Sequence, residues 1–348
     1  MAPIATAQAT APAVPVAPTP PSAAVWRSWN HKVISILVVA ALALPLVNLV
    51  VDPFDLFMVT PMGTGPYTNQ RLHHVRYLSA GRQAPDVLVL GDSIMGINDP
   101  GSLAAATQLS SAYNASVFMA SASDIRDMAR FVATLPSKPK LIVVGLDTYM
   151  FSGQARPDSF SIKMPPQISG DAPIQWWTQA LFAPTFSQSF DKVVEKMSGS
   201  PTARYNFETG HYSRPRTDRE LSENPDAFSK RVFSGVASAA TPDARIPVSA
   251  RQLTAISEAA AILANAGVKT AWVLQPPSHG LKLLYRQSEI DDNVRAILSH
   301  LPGQTIVDLS NMASLTDDPR AWYDLKHYTA AAGKSLLAEV GRRLKLPS

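Results

Sequence analysis

The sequence predicts an α/β protein: a mostly parallel five-stranded sheet with helices on both faces, preceded by one transmembrane helix. Three observations carry this. Short unbroken apolar runs recur between residues 86 and 310, and a strand apolar at every position is one buried on both faces. Segments with helical spacing of apolar residues lie between those runs. Ahead of them, residues 33–51 hold no charged side chain, and at the helical rise they extend about 28 Å, close to the hydrocarbon thickness of a bilayer.

The elements follow in chain order. Residues 1–25 are almost entirely Ala, Pro and Thr, a composition with no apolar period, so they are expected to form a disordered tail. Arg27, His31 and Lys32 stand just before the apolar run and Asp52 and Pro53 just after it. Positive charge on the leading side keeps the tail in the cytoplasm. The expectation is a single-pass signal anchor in the inner membrane, with the rest of the chain periplasmic or extracytoplasmic. Pro45 and Asn48 are tolerable in a spanning helix. Ala41-Leu42-Ala43 has the small-x-small form of a cleavage site, so a cleaved leader is the alternative.

Residues 53–85 read as a connector with a helix over 69–80. A strand (86–91), a helix (101–113), a second strand (115–120), a helix (123–135) and a third strand (140–146) then alternate. The helix over 123–135 places Ile125, Met128, Phe131 and Val132 on one face. Residues 151–248 break the pattern with clustered Pro, Ser, Arg and aromatic residues, and read as an insertion. Order resumes with a helix (249–267), a fourth strand (268–277), a helix around 287–300, a fifth strand (304–310) and a closing helix. The folded domain is thereby assigned to residues 54–348.

The 348 residues contain no cysteine, which removes thiol catalysis, thiolate metal sites and disulfides. The net charge of +4 is small and its Lys and Arg are scattered, unlike a nucleic-acid footprint.

Chemistry concentrates at two places. Gly91-Asp92-Ser93 follows the first strand. In an open parallel sheet, ligands bind beyond the carboxyl ends of the strands, and a turn there offers free N–H groups beside the hydroxyl. Far away in sequence, Asp324 and His327 stand three apart before the last helix. A serine nucleophile needs a base, and the base needs an acceptor on its other ring nitrogen. One Asp-x-x-His loop supplies both.

On these residues the chain resembles the SGNH, or GDSL-like, hydrolase and acyltransferase superfamily over residues 86–345. The resemblance implies a flavodoxin-like three-layer α/β/α sandwich and a serine ester mechanism without metal or cofactor. In it Ser93 attacks an acyl carbonyl, His327 is general base and then acid, and Asp324 orients His327. The middle blocks depart from the family pattern. Where a glycine N–H is expected to face the oxyanion, the chain has 119–123, Met-Ala-Ser-Ala-Ser, with Ala122 taken as the pocket residue. Where a Gly-x-Asn is expected, it has Gly145-Leu146-Asp147-Thr148. An ionised carboxylate cannot donate a hydrogen bond, so Asp147 points away, is held protonated, or leaves the task to Thr148.

The anchor and the residues after it resemble envelope and exopolysaccharide branches of that superfamily, including acyl-modifying accessory proteins of cellulose and alginate systems. This implies O-acetyltransferase or acetylesterase chemistry on a cellulose-like or alginate-like polysaccharide. Because acyl-CoA is absent outside the cytoplasm, a transferase implies a membrane acyltransferase partner that supplies the acyl group. The alternative is a non-catalytic scaffold or glycan-binding component of a polysaccharide secretion complex. His279, just past the fourth strand, is expected on the same edge as Ser93. His73 and His74 read as surface or packing residues, and Trp176, Trp177, Trp322 and Tyr323 as packing anchors.

Overall fold

The computed structural model describes residues 22–58, 68–80, 83–152, 165–170, 172–199, 203–236 and 245–344. The chain divides into two units, Met1–Leu44 and Pro45–Ser348. Helix α1 (Ala23–Val51) begins in the first and ends in the second. It is long and apolar enough to cross a membrane. Most of the Ala- and Pro-rich tail lies outside the described residues. The helix starts ahead of the predicted residue 33 because Trp26, Arg27, Trp29 and Lys32 are compatible with helix and no proline interrupts them.

In the second unit α2 (Gln70–Ser79) precedes β1 (Val87–Leu90), which runs into the single helical turn α3 (Ser93–Gly96). Then come α4 (Pro100–Thr107), β2 (Ala112–Asn114), α5 (Ala122–Thr134) and β3 (Leu141–Leu146). The insertion follows: α6 (Pro166–Ser169), α7 (Pro173–Phe182), α8 (Phe186–Ser198), a hairpin of β4 (Arg204–Tyr205) and β5 (Tyr212–Ser213), α9 (Pro215–Glu223) and α10 (Pro225–Phe233). A Ser152–Val248 bridge and the Ser249 N–H to Phe151 carbonyl bond (2.7 Å) close the insertion at its base. The scaffold resumes with α11 (Ala250–Asn265), β6 (Lys269–Leu274), α12 (His279–Leu284), α13 (Gln287–Ser299), β7 (Thr305–Asp308), α14 (Ala313–Thr316) and α15 (Ala330–Leu344).

All pairings of the main sheet are parallel, in the order β2-β1-β3-β6-β7. Counting only the strands of this sheet, that is 2-1-3-4-5, the flavodoxin-like order. Alternate strand residues feed opposite layers. Leu88, Leu90, Ile142, Val144, Trp272 and Leu274 pack under α5 and α11, whereas Val87, Val89, Val143, Val273 and Val307 pack under α4 and α15. A strand buried on both faces has no polar side, and this produced the unbroken apolar runs.

The second strand is shifted from its expected place. Helix α4 stops at Thr107 because Gln108 takes a left-handed C-cap (φ 55°), which frees residues 112–114 to pair with 87–89. Residues beyond Asn114 still touch the ladder through the Ala115 and Val117 N–H groups, which reach the carbonyls of Val89 (2.8 Å) and Gly91 (3.0 Å). From β1 the chain steps outward to β2, then returns across to β3. The loops leaving β1 and β3 therefore diverge and leave a crevice at the carboxyl edge.

The α3 turn sits directly on the sheet through Met95, which is fully buried. Gly145 on β3 makes the seat: a Cβ there would meet Met95 Cγ at 1.9 Å. Gly145→Ala is expected to lower unfolding stability by about 1–3 kcal/mol, read by denaturant titration. Met95→Ala placed in the same chain is expected to make the alanine at 145 better tolerated than it is alone; an unchanged penalty would show that the seat is not the cause.

Candidate active site

Asp92 holds the start of α3, accepting the Ile94 N–H at 2.9 Å through its Oδ1. This cap places Ser93 as the first helical residue at the rim, with its N–H among those a helix start leaves unpaired. Asn114, at the end of β2, donates to the Met95 and Asn98 carbonyls (both 2.9 Å) and fixes the turn from below.

The other half of the site comes from the loop before α15. Trp322 is buried and donates its ring N–H to the Leu315 carbonyl (2.8 Å). A bridge between Trp322 and Tyr328 narrows the loop, and the Tyr323 N–H closes on the His327 carbonyl at 2.7 Å. Inside it, Asp324 Oδ1 accepts the backbone N–H groups of Lys326 (2.9 Å) and His327 (2.8 Å).

The two halves meet. Ser93 Oγ lies 2.8 Å from His327 Nε2, and His327 Nδ1 lies 2.9 Å from both oxygens of Asp324. A carboxylate only accepts, so Nδ1 carries the proton toward Asp324 and Nε2 presents its lone pair to the serine O–H. Burial pushes the Asp324 carboxyl upward, but the hydrogen bonds from His327 and the Arg214 charge outweigh it and hold the group well below the ordinary carboxylate range. Asp324 is thereby ionised wherever the protein is folded near neutral pH.

Two residues of the insertion, neither apparent from spacing or period, grip this line. Arg214 Nη1 donates to Asp324 Oδ2 at 2.8 Å and its guanidinium lies over the Tyr323 ring. Tyr212, buried against Gly96, donates its hydroxyl to the Ser93 carbonyl.

A cleft of about 300 Å³ opens over the serine, lined by Asp92, Ser93, Met119, Ala120, Tyr149, Met150, Ser152, Lys326 and His327. Met119 has a left-handed backbone (φ 54°), a conformation that costs a non-glycine residue strain. It lies at the cleft within 119–123, the block in which the resemblance expects a glycine and from which Ala122 is taken as the pocket residue. The Ala120 N–H is already donated to the Val117 carbonyl (3.1 Å), whereas those of Ser93 and Met119 enter no hydrogen bond among the described residues. Ala122, by contrast, is fully buried in the first turn of α5 and does not line the cleft. Ser121 and Asp124 form a capping box there, drawing residues after 121 into the helix.

Asp147 is half-buried beside Asp92. Its Oδ1 accepts the Met150 N–H at 2.8 Å, and its Oδ2 is shielded from solvent with no hydrogen-bond partner among the described residues. It forms no part of the cleft wall, lining instead a narrow neighbouring recess of about 30 Å³ with Thr148, Ile94, Leu146 and Leu274. Tyr149 and Lys326 border both spaces, the Lys326 ammonium lying 3.2 Å above the Tyr149 ring. Burial, then the like charge of Asp147, pushes the Asp92 carboxyl well above its ordinary range, and burial raises Asp147 too. Each carboxylate disfavours ionisation of the other, so both directions are upward.

His279 lies apart from both spaces. Ser278 caps α12, accepting the Leu281 N–H (3.1 Å) and donating to the Leu325 carbonyl (2.6 Å), and the chain turns so that His279 faces solvent. His73 and His74 are packing groups: burial pushes them down to about 4 and about 3, and His74 Nε2 lies 3.0 Å from the Ser116 carbonyl. Trp176 is buried with Phe54, Leu56 and Leu72. No group of three or more His, Asp or Glu at metal-binding distance occurs among the described residues.

No family model and no curated protein matches the chain. Among solved structures, a protein from Desulfitobacterium hafniense DCB-2 described as lipolytic and of the G-D-S-L family is similar at 14% identity and a TM-score of 0.31. The match covers 74% of this chain and 98% of that one. A likeness this loose carries no functional argument, which rests on the geometry above.

The Asp92–Asp147 pair sets a pH dependence. A carboxyl whose pKa is raised by folding keeps its proton in the native state while the unfolded chain releases it, so stability falls as pH rises through the carboxylate range. Asp147→Asn removes the like charge that opposes ionisation of Asp92. Its Tm is expected to exceed that of the parent by several degrees at pH 7.5 and by clearly less at pH 4.5, where more of the parent pair is protonated. Equal gains at the two pH values in thermal melts would refute this account.

Proposed function

We propose that the protein performs serine-dependent O-acyl ester chemistry, as an O-acetyltransferase or acetylesterase. The observation that carries this reading is the unbroken line Ser93–His327–Asp324, with bonds of 2.8 and 2.9 Å between side chains 234 and 3 residues apart. Ser93 Oγ attacks the acyl carbonyl carbon as its proton passes to His327 Nε2, and Asp324 stabilises the imidazolium. The carbonyl electrons move to oxygen, and the free N–H groups of Ser93 and Met119 receive the oxyanion. Collapse expels the alkoxide, which takes the proton from His327 and leaves an acyl-serine. Water or a sugar hydroxyl then repeats the sequence in reverse, giving hydrolysis or transfer.

The substrate reading is an O-acyl group on an exopolysaccharide or envelope polysaccharide of cellulose or alginate type. It is supported by the open cleft over the serine, wide enough for a chain hydroxyl, and by the small size of the adjoining apolar recess, which suits a short acyl group better than a fatty chain. Helix α1 is read as an inner-membrane signal anchor that holds the catalytic unit on the extracytoplasmic side, where a membrane acyltransferase would supply the acyl group to a transferase. Asp147, which stands where an amide donor is expected and accepts the Met150 N–H, favours a second reading, a non-catalytic scaffold.

A fluorophosphonate probe separates the two. The parent chain is expected to label and to turn over an activated acetyl ester; Ser93→Ala abolishes labelling, and His327→Gln lowers turnover by about 10³-fold or more. Absence of labelling in the folded parent would favour the scaffold. Adding oligosaccharide acceptor and weighing the product distinguishes transfer from hydrolysis.

A further inference from the structure

Helix α8 is amphipathic in the wrong sense for a helix of a water-soluble domain. Its inward face carries Ser189 and Lys192, the latter 1% exposed. Its outward face carries Phe186, Phe190, Val193, Val194 and Met197, with Phe190 69% and Met197 83% exposed. These positions recur at intervals of four, three, one and three, a single stripe along the helix. Ile174 and Phe182 of α7 are exposed as well, while Trp176 and Ala180 of the same helix are buried.

The polar face is fastened to the segment that follows the apolar helix. Lys192 Nζ donates to Asp55 Oδ1 at 2.7 Å and also to the Asp52 carbonyl. Asn48, in the last turn of α1, donates to the carbonyls of Leu181 (2.7 Å) and Ala183 (2.9 Å) and accepts from the Thr185 hydroxyl. Asp52 in turn accepts the N–H groups of Leu56 (2.6 Å) and Phe57 (2.9 Å), shaping the turn that Lys192 seals. The α7–α8 corner is thus locked to residues 48–55, where the candidate membrane span ends.

We propose that the outward face of α8, with Phe182 at the corner, is buried in the lipid leaflet in which α1 ends, as an interfacial helix of the catalytic unit. The inference rests on the reading of α1 as a membrane anchor. A bilayer surface lies at the level of residues 48–55 once α1 spans, and the bonds from Asn48 and Lys192 hold the α7–α8 corner beside that level. The stripe itself holds no charged side chain, and α8 carries two acidic and two basic residues (Asp191, Glu195, Lys192, Lys196), so the contact is apolar and not an attraction to anionic headgroups.

The absence of cysteine from the chain permits single labels in the full-length protein. Phe190→Cys, Met197→Cys, Leu42→Cys within α1 and Ser222→Cys on α9 are each labelled with bimane. The protein is reconstituted into vesicles of phosphatidylethanolamine and phosphatidylglycerol containing brominated acyl chains. Labels at 190, 197 and 42 are expected to lose at least half of their emission relative to unbrominated vesicles, at low and at high salt alike, while the label at 222 is unaffected. Quenching at 42 but not at 190 or 197 overturns the interfacial helix and leaves the anchor standing. Quenching at none of the three overturns both. Quenching at 190 and 197 without 42 overturns the anchor, and with it the placement of α8 in the leaflet where α1 ends. Disulfide cross-linking between copies through 190 or 197, in place of quenching, identifies a second copy as the occupant and overturns the proposal.

Discussion

A parallel sheet collects the carboxyl ends of its strands on one edge, and every feature of the site depends on that constraint. Ser93 leaves the end of β1, Asp147 the end of β3, Ser278 follows β6, and the loop of Asp324 and His327 comes after β7. The Ser93–His327 hydrogen bond joins two loops with no local reason to approach each other. The bond forms because one sheet fixes where both loops emerge. The small glycine seat under Met95 then fixes the height of α3 above that edge, and the buried Trp322 fixes the loop on the other side.

Much of this was legible in the sequence. Strands buried on both faces must be apolar throughout, so β1, β3 and β6 announce themselves, and α5, α11, α13 and α15 stand within a few residues of their expected places. The shift of β2 arose because Ala112, Tyr113 and Asn114 resemble the end of a helix, and only the left-handed turn at Gln108 separates them from it. Ser93, Asp324 and His327 were visible because their chemistry is local: each sits in a turn motif whose spacing means something by itself. Tyr212, Arg214 and Asn114 were not, since each acts across more than fifteen residues of chain through a single hydrogen bond, and no periodicity marks such a contact. His279 and Ala122 were drawn toward the cleft by proximity in sequence, and capping by Ser278 and Ser121 takes them away from it.

Asp147 stands where the catalytic reading proposed above would want an amide donor. Its Oδ1 instead accepts the Met150 N–H, and its carboxyl lies beside Asp92, the cap of the turn that carries Ser93. Two carboxyls placed this close carry a cost that grows as they ionise.

The β4–β5 hairpin touches the reacting line at both ends, Tyr212 at the serine backbone and Arg214 at the aspartate. The hairpin belongs to the segment between β3 and α11, which meets the two hydrophobic layers through Ile168 and Val248 on one side and Phe233 on the other. A version trimmed of the hairpin would lose both hydrogen bonds and leave the serine turn and the acid unsplinted. On the catalytic reading proposed above, the hairpin is then a fitted part of the machinery, and a redesign that treats it as decoration would be expected to idle the chemistry.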